Sequence, residues 1–135
     1  MLTIITNTGK LIMKQANTKQ KKWMADITEF INETSLGILY PDYEGSFDFQ
    51  RHHVLGRSAK HNKVEVGHWF IIPVPYELHE PNLNHAFHVG SNKKSFVRKY
   101  GNQRDIFQGL VACMQQWGYD TPPLEAYNAI MDTRA

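Results

Sequence analysis

Cysteine is almost absent from this 135-residue chain, with Cys113 the only one. A single thiol excludes an intramolecular disulfide framework and any multi-cysteine zinc knuckle. It also fits a reducing compartment, so a cytoplasmic location is expected. Long apolar runs are missing too. No stretch approaches the ~20 apolar residues that cross a bilayer, so no membrane partner is expected. The opening MLTIITNTGKLIMK interrupts its apolar residues with polar ones and has no small-residue cleavage site. It reads as a first strand or hairpin rather than a signal peptide. Internal repeats and low-complexity tracts are absent as well. What remains is a length suited to one domain, 1–135, and a hydrophobic fraction of 41%, enough for a modest core.

The net charge of +2 conceals a strong division along the chain. Residues 1–50 carry five Lys against six Asp/Glu, whereas residues 51–104 carry nine Lys/Arg against three Glu. Residues 105–135 return to acidic, with one Arg against four Asp/Glu. All seven histidines also lie in the middle segment. Imidazoles and positive charge sharing one region point to a polyanionic partner.

Local patterns place these residues on elements. Asn17 or Thr18 can cap a helix running to about Asn32, with Trp23, Ile27, Phe30 and Ile31 at helical spacing. Its first turn holds Lys19, Lys21 and Lys22, the unfavourable sign for that end of a helix dipole. LGILYPDYEGSFDFQ reads as turns and a short strand, GRSAKHNKVEVG as a basic loop, and HWFIIPVP as a short buried strand stopped by prolines. PNLNHAFHVGSN is loop or helix start. Helices are expected over Lys93–Tyr100, over Asp105–Trp117, and after Pro122–Pro123. The fold class is therefore α+β. Cys113, Trp69, Phe70, Met24, Met114 and Met131 read as packing residues.

The stretch FQRHHVLGR, residues 49–57, carries the chemical signal. Neighbouring side chains on a strand point to opposite faces. Either one of His52 and His53 faces a site while the other is core, or a local distortion brings both to one site. Imidazole can bind a divalent metal or take a proton near neutral pH. His79 and His88 lie beyond the second strand and can complete a ligand set. Arg57, Lys60, Lys63, Lys93, Lys94 and Arg98 supply positive surface, and Arg57 is the sharpest, since guanidinium clamps phosphate bidentately. His61 and His85 sit in polar loops and read as ordinary surface histidines.

Three blocks in order, FQRHHVLGR, HWFIIPVPYELH and FHVGSNKKSFVRKYG, resemble the HNH (ββα-metal) endonucleases, and most nearly the phage recombination-enhancement nucleases of the Ref type. The resemblance spans roughly residues 49–101, under half the chain. It implies a small ββα-metal core there, with 1–48 and 102–135 as flanking helices and strands. By position it makes His52 a metal ligand and His53 the general base. His79 matches the histidine at the start of the metal-binding helix, and His88 the histidine before the glycine-containing turn. The middle Asn of the HNH name has no obvious counterpart; His68 takes that orienting place, with Asn62 as second candidate. Relatives often carry a cysteine-based knuckle, which Leu36 to Tyr43 lacks, so no structural zinc is implied.

The resemblance thus implies a metal-dependent DNA endonuclease, acting on single- or double-stranded DNA in phage recombination, with a recombinase as partner and the host cytoplasm as its place. Mg²⁺ or Mn²⁺ is the implied ion, with Zn²⁺ and Ni²⁺ as alternatives. A histidine base would give activity rising with pH through the imidazole range, near ~6.5 when unperturbed. Two rival readings stand beside it: a catalytically inactive nucleic-acid-binding module on the same scaffold, and a histidine-rich metal-binding protein with no nucleic-acid role.

Overall fold

The computed structural model describes residues 15–135, so the expected N-terminal strand or hairpin lies outside the described residues. The first element is α1 (Thr18–Glu33). Asn17 caps it, accepting from the Gln20 backbone N–H while the Gln20 carboxamide returns a bond to the Asn17 N–H. This reciprocal pair satisfies two otherwise orphaned donors and compensates for lysines in the first turn. Trp23, Ile27, Phe30 and Ile31 form the buried stripe of α1, as their spacing predicts.

After a short 3-10 turn at Leu36–Ile38 comes β1 (Phe49–His53), which pairs antiparallel with β4 (Ile71–Pro75). His53 lies opposite Ile71 and His52 opposite Ile72. A central proline is tolerable in β4 because, among the described residues, the sheet has two strands, leaving an edge where no N–H is required. The buried Tyr40 hydroxyl donates to the Pro73 carbonyl at 2.5 Å, covering that edge.

The segment between them is more ordered than its composition suggests. It forms a miniature hairpin, β2 (Lys60–His61) and β3 (Val64–Glu65). Asn62 and Lys63 both take positive φ, 50° and 66°, the geometry of a two-residue turn matched to strand twist. Asn tolerates this conformation through its short polar side chain. The hairpin is tied down at its tip, where the His61 ring and the Asn62 amide both reach Asp132, at 3.0 and 2.9 Å.

A one-turn helix, α2 (Tyr76–His79), follows β4 directly and was not expected from the sequence. Pro75 at its N-cap fixes the direction of exit, and the Tyr76 N–H bonds back to Asp48 beside β1. The remaining helices are α3 (Lys93–Tyr100), α4 (Gln103–Gln116) and α5 (Leu124–Met131), near the expected bounds. The long helix after His79 begins only at Lys93, so His79 ends a single turn instead of starting a longer helix.

One continuous apolar cluster joins α1, β4, α3, α4 and α5. Phe70 packs edge-on against Phe107 of α4 at 5.2 Å, and the Trp23 indole donates to the Trp69 carbonyl at 3.0 Å. Burying a side chain such as Phe70 contributes about 1.5–3 kcal/mol. The β1–β4 pair is thereby clamped between α1 and α4, and the end of β1 inherits that rigidity. The architecture is α+β, with five helices and two small antiparallel sheets among the described residues.

Candidate functional site

The two histidines that end β1 diverge, as strand alternation requires. Gln50 and His52 point to one side and meet α2. His52 Nδ1 lies 3.1 Å from His79 Nε2, and His79 Nδ1 lies 2.5 Å from Gln50 Oε1. Arg51 and His53 belong to the other side. There His53 Nε2 lies 3.2 Å from Nδ1 of the buried His68, which sits in the loop before β4.

The His53–His68 pair and His79, though not His52, border a groove of about 1240 Å³ formed by the described residues. His53, His68 and His79 line it together with Arg51 and Arg57. Its rim includes Lys21 of α1 and the exposed rings of Phe47 and Tyr76. Lys21 was one of the lysines in electrostatic conflict with the helix dipole, and its placement here gives that turn a charged groove to face.

Burial sets the protonation of the pairs. His52 is held down to about 4 chiefly by desolvation, and next by the neighbouring His79 ring. His53 is also lowered to about 4, by burial first, then by His68, Arg57 and Arg51. His79 moves in the same direction, from burial and from His88. All three are therefore neutral at physiological pH, the form that binds metal or accepts a proton.

His88 stands near this group but has another task. Its Nδ1 accepts from the Gly90 and Ser91 backbone N–H groups, both at 3.0 Å. That leaves the proton on Nε2, which donates to the His79 carbonyl at 3.0 Å. Both ring nitrogens are engaged, so in this structure His88 braces the backbone of His79 and presents no lone pair to a metal. The ligand set expected from His52, His79 and His88 thus reduces to the first two. Among the described residues no group of three or more His, Cys, Asp or Glu side chains gathers as a metal site.

Asn62 is likewise committed elsewhere, since its amide is bonded to Asp132. Of the two candidates for the orienting role, the structure brings His68 to His53. The basic residues divide similarly. Arg57 lines the groove, whereas Lys60 and Lys63 lie on the hairpin held by Asp132. Lys93, Lys94 and Arg98 are exposed on α3, and none of these five borders the groove. His85 accepts its own loop's Phe87 N–H at 2.9 Å, an ordinary turn role.

Three residues at the site went unnoticed in the sequence. Gln50 and Arg51 were legible in principle, because each lies two positions before a histidine on the same strand. Gln103 had no local signal, lying outside the 49–101 stretch that carries the histidines. It is 2% exposed at the start of α4, and its Oε1 completes no hydrogen bond.

Comparison with family models, with curated proteins and with solved structures finds no match to this chain.

Proposed function

We propose that this protein is a metal-dependent HNH-type endonuclease that hydrolyses phosphodiester bonds in DNA. The observation that carries the reading is the paired arrangement at the end of β1: His52 against His79 and His53 against His68, beside Arg57. A ββα-metal-like core over 49–101 accounts for why one strand end serves both pairs.

His52 and His79 would hold a divalent ion, Mg²⁺ or Mn²⁺ in the cell, and their nitrogen donors suit Zn²⁺ and Ni²⁺ too. When bound, such an ion supplies charge stabilisation at the phosphate and the leaving oxygen. The buried, unpartnered Gln103 Oε1 and the neutral rings fit such a group. His53 acts as general base. With its Nε2–H donated to His68, its Nδ1 lone pair is left to take a proton from water. His68 does the work that an asparagine carbonyl does in the HNH name, fixing tautomer and ring orientation. Arg57 receives the phosphate, and the groove's other cations, Arg51 and Lys21, track the backbone. The resemblance to recombination-enhancement nucleases adds a recombinase as partner.

Nicking of supercoiled plasmid, with Mg²⁺, Mn²⁺ or Ni²⁺ and with or without a recombinase filament, tests the reading. His53→Ala is expected to abolish nicking while Mn²⁺ binding persists, and His79→Ala to weaken Mn²⁺ binding. A protein that cuts neither single- nor double-stranded DNA under any of these conditions is not this enzyme.

A second reading, a nucleic-acid-binding module without activity, is favoured by one observation: only two imidazole nitrogens converge, and His88 is withheld. Its signature is steeply salt-dependent DNA binding, indifferent to metal, with no cleavage.

A further inference from the structure

Two aromatic rings stand at one end of the groove and take no part in the apolar core. Phe47 is 62% exposed and Tyr76 41%. Their backbones are nevertheless braced. The Tyr76 N–H donates to the Asp48 carbonyl at 2.8 Å, which carries the β1–β4 pairing one step past Phe49 and Pro75. The Asp48 N–H donates in turn to Ser46 Oγ at 3.3 Å, closing the turn that holds Phe47. The Tyr43 hydroxyl donates to the Glu77 carboxylate at 2.7 Å, so the loop before β1 is tied to α2 a second time. Both rings therefore ride on one fixed support. From there the groove follows β1, with Arg51 and then His53 on the same side of the strand, and Arg57 beyond them. The run from Phe49 to His53 covers about 13 Å. Against Lys21, Arg51 and Arg57, Asp48 is the one carboxylate among the described lining residues.

We infer that Phe47 and Tyr76 are base-stacking platforms, and that the groove takes an unpaired strand of DNA rather than a duplex. In a duplex each base face is covered by its neighbours, so a protein outside it meets phosphates and base edges. An unpaired strand exposes the faces, and a neutral aromatic ring can stack on any of them. Phosphate contacts alone give two exposed hydrophobic rings nothing to bind. A single strand uses rings and cations together, its bases on Phe47 and Tyr76 and its phosphates along Lys21, Arg51 and Arg57. Held in this way, the backbone passes from the rings toward His53. The inference rests on the DNA reading of this groove given above and names the form of DNA it takes. Little base preference is expected, because stacking reads no base edge.

The test is fluorescence anisotropy of the full chain with three probes of equal length, roughly ten nucleotides, a size common for such grooves. They are an oligothymidylate, the same phosphate chain with abasic sugars, and a blunt duplex. Wild type should bind the oligothymidylate at least about tenfold more tightly than either of the others. Phe47→Ala and Tyr76→Ala should each weaken that binding by roughly 5–100-fold, the range for one stacked base, with the salt slope unchanged because no phosphate contact is lost. On the abasic strand this penalty should disappear. Phe47→Trp, which keeps an aromatic face, should retain oligothymidylate binding. Both rings are exposed, so neither substitution removes core packing. A duplex bound as tightly as the oligothymidylate, or alanine variants with wild-type affinity for it, overturns the inference. Metal-dependent nicking of plasmid by that same protein would leave the endonuclease reading standing. Weakened oligothymidylate binding in the alanine variants of a protein that nicks no DNA supports the inference and overturns the endonuclease. A wild type that binds neither strand nor duplex overturns both.

Discussion

His53 Nε2 and His68 Nδ1 stand 3.2 Å apart, joining the end of β1 to the loop that leads into β4. On the endonuclease reading proposed above, a histidine takes the place beside the base where the HNH pattern puts an asparagine. A neutral imidazole can accept through one nitrogen and donate through the other, so it can hold a neighbouring ring as a carbonyl does.

From this contact, His68→Ala should lower single-turnover nicking by about 10²–10³-fold, within the range of general-base contributions, without changing Mn²⁺ affinity. His68→Asn should recover part of the loss, because its carbonyl accepts the same N–H. Asn62→Ala should leave the rate unchanged, since its amide serves Asp132. Equal rates in wild type and His68→Ala would remove His68 from the mechanism.

The pH dependence should follow the lowered imidazoles rather than free histidine. Because burial holds His53 at about 4, the base stays neutral well below the usual histidine range. The acid limb of the rate profile should therefore break near pH 4, not near 6.5, and a bound cation would push it lower still. Stability follows the same window. Between pH 6.5 and 4 the unfolded chain binds protons at His52 and His53 that the folded chain does not, so the folded state loses stability as pH falls through that range. With solvent screening discounted, the loss is on the order of 2 kcal/mol for the two together. Chemical denaturation of metal-free protein at pH 7 and pH 4.5 reads it. Equal stabilities at the two values would mean that both rings titrate normally.

Arg57 should act on DNA affinity more than on chemistry. Arg57→Ala is expected to reduce the salt slope of DNA binding by about one, the contribution of one phosphate contact. Arg57→Lys should not restore it fully, because a lysine cannot clamp phosphate bidentately. Removing this cation should also let the His53 pKa rise, as its charge is one of those that depress it. Fluorescence anisotropy across a salt series measures the slope; an unchanged slope would place Arg57 outside the interface.

Gly67 should tolerate no side chain. A Cβ there would collide with the Arg57 carbonyl, where the chain before β2 passes close to the chain after β3. The Gly67 N–H is also fixed, bonded to the Ala59 carbonyl at 3.1 Å. Gly67→Ala should therefore destabilise the fold by about 1–3 kcal/mol, as overpacking does, and displace Arg57 and His68 together. Thermal melting and nicking should both fall. A variant with wild-type melting would show that this crossing can widen without strain.

Much of this protein was determined by the sequence itself. Helical spacing marks Trp23, Ile27 and Phe30, and Gly101 and Gly118 mark where α3 and α4 end, because such signals act within one or two turns. That two neighbouring histidines face different sides is one of the two arrangements the sequence left open, and the one plain strand alternation gives. Tertiary structure decided which partners those are. Only the β2–β3 hairpin carries Asn62 away to Asp132, and only the turn at Gly90 and Ser91 engages the second nitrogen of His88. A residue type announces what it can bond to, but the nitrogen it presents depends on whatever the fold places behind the ring.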